Sequence, residues 1–268
     1  CIRDRDVSRV DAHTLDYTVW SQLMTNAATQ GSQWWGAVSW RFVEHTGMGG
    51  DEWVRQIQAQ PGFDVYFSSV EVQDEAVFHN GWLQAETRYP RFLDLVKAFF
   101  EANGMPQDQL GVIHPTGLAA QGGPMVATPD FWRAYIAWVR KLLSTANKRM
   151  PTTLRDLMHS AAATSDGSAG PGAKSYVALI IERLLPVFLR TEGQSFKVTR
   201  IALSERERAL NVHQKLLREM KDVAHRTQSA WLAACWVNYR NLYLGQTQTK
   251  PWIQQHLRTI TPTEIKFG

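Results

Sequence analysis

The stretch from Trp34 to Phe67 constrains the fold most. Trp34-Trp35-Gly36-Ala37-Val38 reads as a short buried strand. Phe63-Asp64-Val65-Tyr66-Phe67, opened by Pro61-Gly62, is the strongest strand signal in the chain. Between them Gly49-Gly50 marks a turn and Asp51 can cap a helix. Trp53, Val54 and Ile57 share one face of that helix, which runs to Gln60. Strand, helix, strand at this spacing predicts an α/β unit with the two strands adjacent and parallel, because a helix connects them.

The rest of the chain is punctuated by caps and breakers. Leu15, Val19, Leu23 and Met24 have helical spacing, and Asn26 can close that helix. Asp74 to Glu86 has no sustained period and reads as a loop. Pro90 opens a helix that buries Phe92, Leu93, Leu95, Val96, Phe99 and Phe100, with Gly104 past its end. Leu110 to Val126, rich in Gly and Pro, reads as irregular. Thr128-Pro129-Asp130 starts a helix to Leu143. Ala163 to Lys174 reads as a mobile loop, followed by an apolar helix from Tyr176 to Leu189 kinked at Pro186. Ser204 and Glu207 form a capping box for a helix reaching Arg226, and a second helix from Ser229 to Leu244 completes a hairpin.

Composition narrows the function classes. The 268 residues are 44% hydrophobic and 20% charged, enough for a buried core. No apolar run approaches the roughly 20 residues of a membrane-spanning helix, and the charged start lacks the apolar stretch of a signal peptide. Two cysteines exclude a disulfide framework and a four-cysteine zinc site, and a reducing, cytoplasmic setting is the expectation. Residues 195–268 hold twelve Lys/Arg against five Asp/Glu, whereas the whole chain is only +4. The expected division is therefore an α/β domain over 1–194 and a basic helical appendage over 195–268, the latter suited to an anionic partner.

No P-loop, G-x-G-x-x-G, H-E-x-x-H or G-x-S-x-G occurs, and the histidines have no ligand spacing. Asp64 sits inside an apolar strand, where a carboxylate needs partners. It is either a ligand for a divalent cation, Mn or Mg, or an acid at the strand's wet end. Glu182-Arg183 interrupts an apolar helix and is either a functional pair or an exposed stripe. Trp82, Gln84 and Glu86 alternate stacking and hydrogen-bonding groups suited to a sugar ring, or belong to a plain surface loop. Arg41 can hold a phosphate or a structural ion pair.

The order of these segments resembles bacterial glycosyltransferases of capsule and O-antigen clusters. The matching pieces are Leu15 to Asn26, Gly36 to Phe42 (GAVSWRF), Phe63 to Phe67, Asn80 to Glu86 (NGWLQAE), Pro90 to Phe100, Pro124 to Tyr135 and Tyr176 to Leu189. The resemblance implies a Rossmann-like GT-A-type body, with the C-terminal hairpin outside it. The implied reaction is transfer of a sugar from a nucleotide-sugar donor to a glycan or lipid-linked acceptor of the bacterial surface. Glu182 and Glu86 would be catalytic, and Arg41, Trp82, Gln84 and Arg183 would bind substrate. Asp64 would hold the metal. Two departures stand out: the apolar strand that opens such enzymes has no counterpart, and Gly122-Gly123-Pro124 replaces an expected Asn-aromatic pair. The first departure supports an alternative, a non-catalytic scaffold derived from the same fold.

The hairpin is expected to pair antiparallel, with Trp231, Trp236, Tyr239 and Tyr243 packed on the body or on a second chain. Arg206, Arg208, Lys215, Arg218 and Lys221 would face outward, toward solvent or the anionic inner leaflet. Its aromatics lie on the apolar face and are not interleaved with the basic residues, which argues against nucleic acid.

Overall fold

Local sequence starts most elements where the caps predict. The computed structural model describes residues 15–27, 29–38, 41–118, 123–164 and 173–268. Helix α1 (Leu15–Met24) precedes strand β1 (Trp35–Ala37). Then α2 (Phe42–Thr46) and α3 (Gly50–Ala59) lead to β2 (Val65–Phe67). Gly49 takes the position before α3, and Asp51 lies in its first turn instead of capping it. The expected loop over 74–86 is instead two helices, α4 (Val72–Val77) and α5 (Gly81–Arg88). Nearly every residue of α5 is buried, so it carries no apolar stripe for a periodicity argument to find. Its start is fixed by Asn80, whose side chain accepts from the Trp82 and Leu83 amides at 2.9 and 3.0 Å.

Helix α6 (Phe92–Ala102) follows, and β3 (Met125–Ala127) ends the stretch that reads as irregular. Helix α7 (Pro129–Arg149) begins as its sequence predicts. The Thr128 hydroxyl accepts from the Phe131 amide, with Pro129 in the first turn, and the helix passes Leu143 to end at Arg149. After α8 (Thr152–His159), residues 165–172 of the expected mobile loop lie outside the described residues. The kinked helix divides into α9 (Tyr176–Ile181) and α10 (Leu185–Arg190), with Pro186 in the first turn of the second.

Beyond β4 (Val198–Arg200), the expected helix over 204–226 is also two, α11 (Ser204–Arg208) and α12 (Val212–Thr227). The capping box is not at Ser204 and Glu207. It is formed by Asn211 and Gln214 at the start of α12. Helix α13 (Ala230–Thr247) returns antiparallel along α12, with Asn211 Nδ2 donating to Tyr243 at 3.2 Å and His213 bonded to Tyr239 at 2.6 Å. Helix α14 (Lys250–His256) ends the described helices.

The sheet is small and mixed, in the order β1-β3-β2-β4. Strands β1 and β2 each pair antiparallel with β3, placing Trp35 and Val65 on either side of Ala127. Strand β2 pairs parallel with β4, Val65 beside Val198. The expected adjacency of β1 and β2 is thus corrected: they run in the same direction, but β3 lies between them. Glycine makes this insertion possible. A Cβ on Gly36 would lie 2.2 Å from the Met125 carbonyl oxygen, and one on Gly123 would lie 1.6 Å from that of Ser68. The glycine content that suggests an irregular loop is what lets backbone lie against backbone.

Both sheet faces are covered. Val65 and Phe67 join the main core, while Tyr66 packs on the other side with Phe42, Trp53, Ile57 and Ile201. The tryptophan content serves this core in part. Trp132 stacks on Trp35 at 4.8 Å, meets Trp20 at 5.1 Å, and donates from Nε1 to the Trp35 carbonyl at 2.8 Å. The last quarter of the chain supplies β4 to the sheet and Leu217 and Trp236 to the main core, with Trp236 Nε1 donating to the Ala76 carbonyl at 3.0 Å. The expected outward face of the hairpin needs correcting. Lys221 is 2% exposed and Arg218 turns inward to Glu75.

Candidate functional site

A run of linked charges begins where α9 ends. Glu182 and Arg183 lie in the break between α9 and α10, where the backbone stops shielding itself and polar side chains take over. Arg183 is buried. It donates from Nε to Gly81 O (2.8 Å), from Nη1 to Leu179 O (2.8 Å) and from Nη2 to Gln84 Oε1 (2.9 Å). Its guanidinium also lies 5.5 Å from the centre of the Phe92 ring. Burial lowers its pKa, and Glu182, with Oε2 3.7 Å from Nη1, opposes that shift. Glu182 is itself largely buried and pairs through Oε1 with Lys174, which reaches solvent.

From Gln84 the run continues to the surface. Gln84 Nε2 donates to Asp74 Oδ2 at 2.8 Å, and the same oxygen receives Arg88 Nη2 at 2.6 Å. Arg88 also grips Glu71 through two nitrogens at 3.1 Å. Burial raises the Asp74 pKa against the pull of Arg88, whereas Arg88 holds Glu71 low despite its burial. Two carboxyls on one arginine thus have shifts of opposite sign, an arrangement that separates a carboxyl able to exchange a proton from a fixed anion. The strip lies just beyond the carboxyl end of β2, where α4 starts, and opens to water at Arg88 and Lys174.

The strip unites three of the residues singled out in the sequence, Gln84, Glu182 and Arg183. The others lie elsewhere. Glu86 caps α6, its carboxylate accepting from the Leu93 amide at 2.7 Å, and burial raises its pKa. Trp82 is 1% exposed and lies between Phe92 and Phe100, at 6.3 and 5.5 Å. Arg41 is exposed and paired with Glu44 at 2.5 Å. Asp64 lies at the opposite end of β2, where its Oδ2 accepts from the Lys197 amide at 2.8 Å and pins the start of β4. Among the described residues no group of three or more His, Cys, Asp or Glu side chains is placed to hold a metal ion. The Asp64 carboxylate is engaged by the Lys197 backbone amide.

No protein-family model, curated protein or solved structure matches this chain.

Sequence reasoning missed Glu71, Asp74 and Arg88 because they fall in or beside the segment read as a loop. The one available signal was their spacing: Glu71 and Asp74 share a side of α4, three residues apart. It also missed a second polar centre beneath α4. There Glu75 is buried between Arg200 and Arg218 at 3.3 and 3.1 Å, and Arg200 reaches Glu207 at 2.7 Å. Lys221 Nζ donates to Glu75 O and Phe78 O at 3.0 and 2.6 Å, and Arg240 to Val77 O and Ile260 O at 3.3 and 3.0 Å. These cations satisfy carbonyls at the end of α4, which is structural work. Burial brings Lys221 down to about 8 and Arg240 to about 10.

Proposed function

We propose that the protein is a glycosyltransferase working at the strip from Glu71 to Glu182, with a nucleotide-sugar donor and a glycan or lipid-linked acceptor. The observation that carries this reading is the pairing of largely buried carboxyls with solvent-reaching cations on one strip. Asp74 and Arg88 stand at one end, Glu182 and Lys174 at the other, joined through Gln84 and Arg183. Sugar transfer needs a carboxylate to take the acceptor's proton and a cation beside the departing diphosphate. Asp74 or Glu182 supplies the first, Arg88 and Lys174 the second. The loose order of motifs resembling capsule and O-antigen enzymes supports the same class. The reading rests on this site and not on a Rossmann-like GT-A sheet, since β3 separates the two strands expected to be neighbours.

Calorimetry with a panel of nucleoside diphosphates and their sugar conjugates tests it. The expected result is binding of at least one, weakened about tenfold by Arg88→Ala through loss of a charge-assisted contact. Turnover should be abolished by Glu182→Gln or Asp74→Asn. A second reading, a non-catalytic binding scaffold, is favoured by one observation: Arg183 spends its hydrogen bonds on the protein's own carbonyls and Gln84. Absence of binding across the panel would favour the scaffold.

A further inference from the structure

The outer face of α13 is unusual for a protein whose residues are one-fifth charged. The sequence AWLAACWVNYRNLYLGQT carries one charge, Arg240, and that side chain is fully buried. The face turned from the core is therefore uncharged along the whole helix, and it exposes Trp231 (85%) and Leu242 (67%). Across the hairpin groove α12 adds exposed Val212 and Leu216. We propose that this face is the interface of a two-fold dimer, in which α13 packs antiparallel on α13 of a second copy with Asn238 at the axis.

Three observations point to a second copy. First, the face is self-complementary in size. An antiparallel pairing centred on Asn238 brings Trp231 level with Gly245 of the other chain and Leu242 level with Ala234, so each large side chain meets a small one. Gly245 has no atom within 4 Å of the place a Cβ would occupy, which leaves room for the indole. Second, electrostatics permit it. A basic chain meeting its own image normally opposes like charges. The α13 face at the centre of the patch has none to oppose, as interface centres require, and the exposed Lys215, Glu219 and Arg226 lie on the flanking α12. Third, the area suffices. A helix of 18 residues is about 27 Å long, and two adjacent helices are about 20 Å wide. A patch on the order of 500 Å² from each copy reaches the roughly 1,000 Å² expected of a specific interface. A lipid surface is the competing occupant, but charge argues against it. With Arg218 and Lys221 turned inward, the hairpin shows less basic surface than its sequence suggests.

Sedimentation equilibrium of the full chain tests the proposal. A dimer is expected, and Trp231→Glu, at an exposed position that leaves the helical circular dichroism unchanged, should weaken self-association at least tenfold. Register is tested separately in a Cys1→Ser, Cys235→Ser background. Asn238→Cys should give a disulfide-linked dimer on mild oxidation, whereas Lys148→Cys, exposed on α7, should not. Monomer throughout, or a dimer that survives Trp231→Glu, overturns the proposal. So does Trp231-dependent co-sedimentation of monomeric protein with phosphatidylglycerol vesicles, which would assign the face to lipid.

Discussion

Single side chains hold this fold at points where several backbone groups would otherwise be stranded. Asn80 uses both ends of its amide. The oxygen caps α5, and the nitrogen donates to Leu110 O and Val112 O at 2.9 and 2.8 Å, all in a buried site. Asn80→Ala should lower unfolding free energy by about 2–4 kcal/mol in urea titrations, adding a lost cap to two stranded carbonyls. Asn80→Asp, which keeps the cap and turns a carboxylate onto those carbonyls, should be no better. His114 and His79 give a pH signature. Burial pushes His114 down to about 3 and His79 well below 6.5, with Lys221 adding to both shifts and Arg240 to that of His79. Between about pH 6.5 and 3 the unfolded chain takes up protons that the folded chain refuses. Their contribution to stability is therefore complete above 6.5 and falls as acid is added. Urea midpoints measured across that range should drop, and His114→Gln should flatten the slope. An unchanged slope would count against a buried neutral imidazole.

At the scale of elements, the approach of β3 depends on two missing side chains. Gly123→Ala or Gly36→Ala should each cost at least about 2 kcal/mol, because the new methyl meets a backbone oxygen and not a movable side chain. Loss of the cooperative thermal transition in either variant would be consistent with this, and wild-type stability would not. This dependence also explains what the sequence could and could not reveal. Helices that start with a side-chain cap and bury one face were legible, as α7 is from Thr128-Pro129-Asp130. Strand β2 was legible because its bulky residues follow Pro61-Gly62. Helix α5 was not, since burial on all sides erases periodicity, and β3 was not, since three residues after a glycine pair carry no pattern. At the site, Glu182-Arg183 was legible as charge inside an apolar run. Asp74 and Arg88 were hidden because their role depends on α4 and α5 lying side by side.

The molecule as a whole is not assembled in the order of its sequence. Arg240 shows this well. It is fully buried with no acid partner among its contacts, and it ties α13 to the end of α4 and to Thr261, with 2.7 Å from Nη2 to the Thr261 hydroxyl. Lysine cannot span that fork, so Arg240→Lys should lose about 2–4 kcal/mol. Ending the chain after residue 194 would remove β4 from the sheet and Leu217 and Trp236 from the core. Residues 1–194 made alone should therefore give no sharp calorimetric transition and should bind dyes specific for exposed apolar surface.

The parallel pairing of β2 with β4 has a further consequence, for the timing of synthesis. Val65 waits for Val198, a partner 133 residues later, and at about 5–20 residues per second a ribosome needs roughly 7–27 seconds to deliver it. Through that interval one edge of β2 is open, in the segment with the most strand character in the chain. A nascent chain in this state is a natural client for chaperones, and slower translation over residues 70–200 would lengthen its exposure to aggregation.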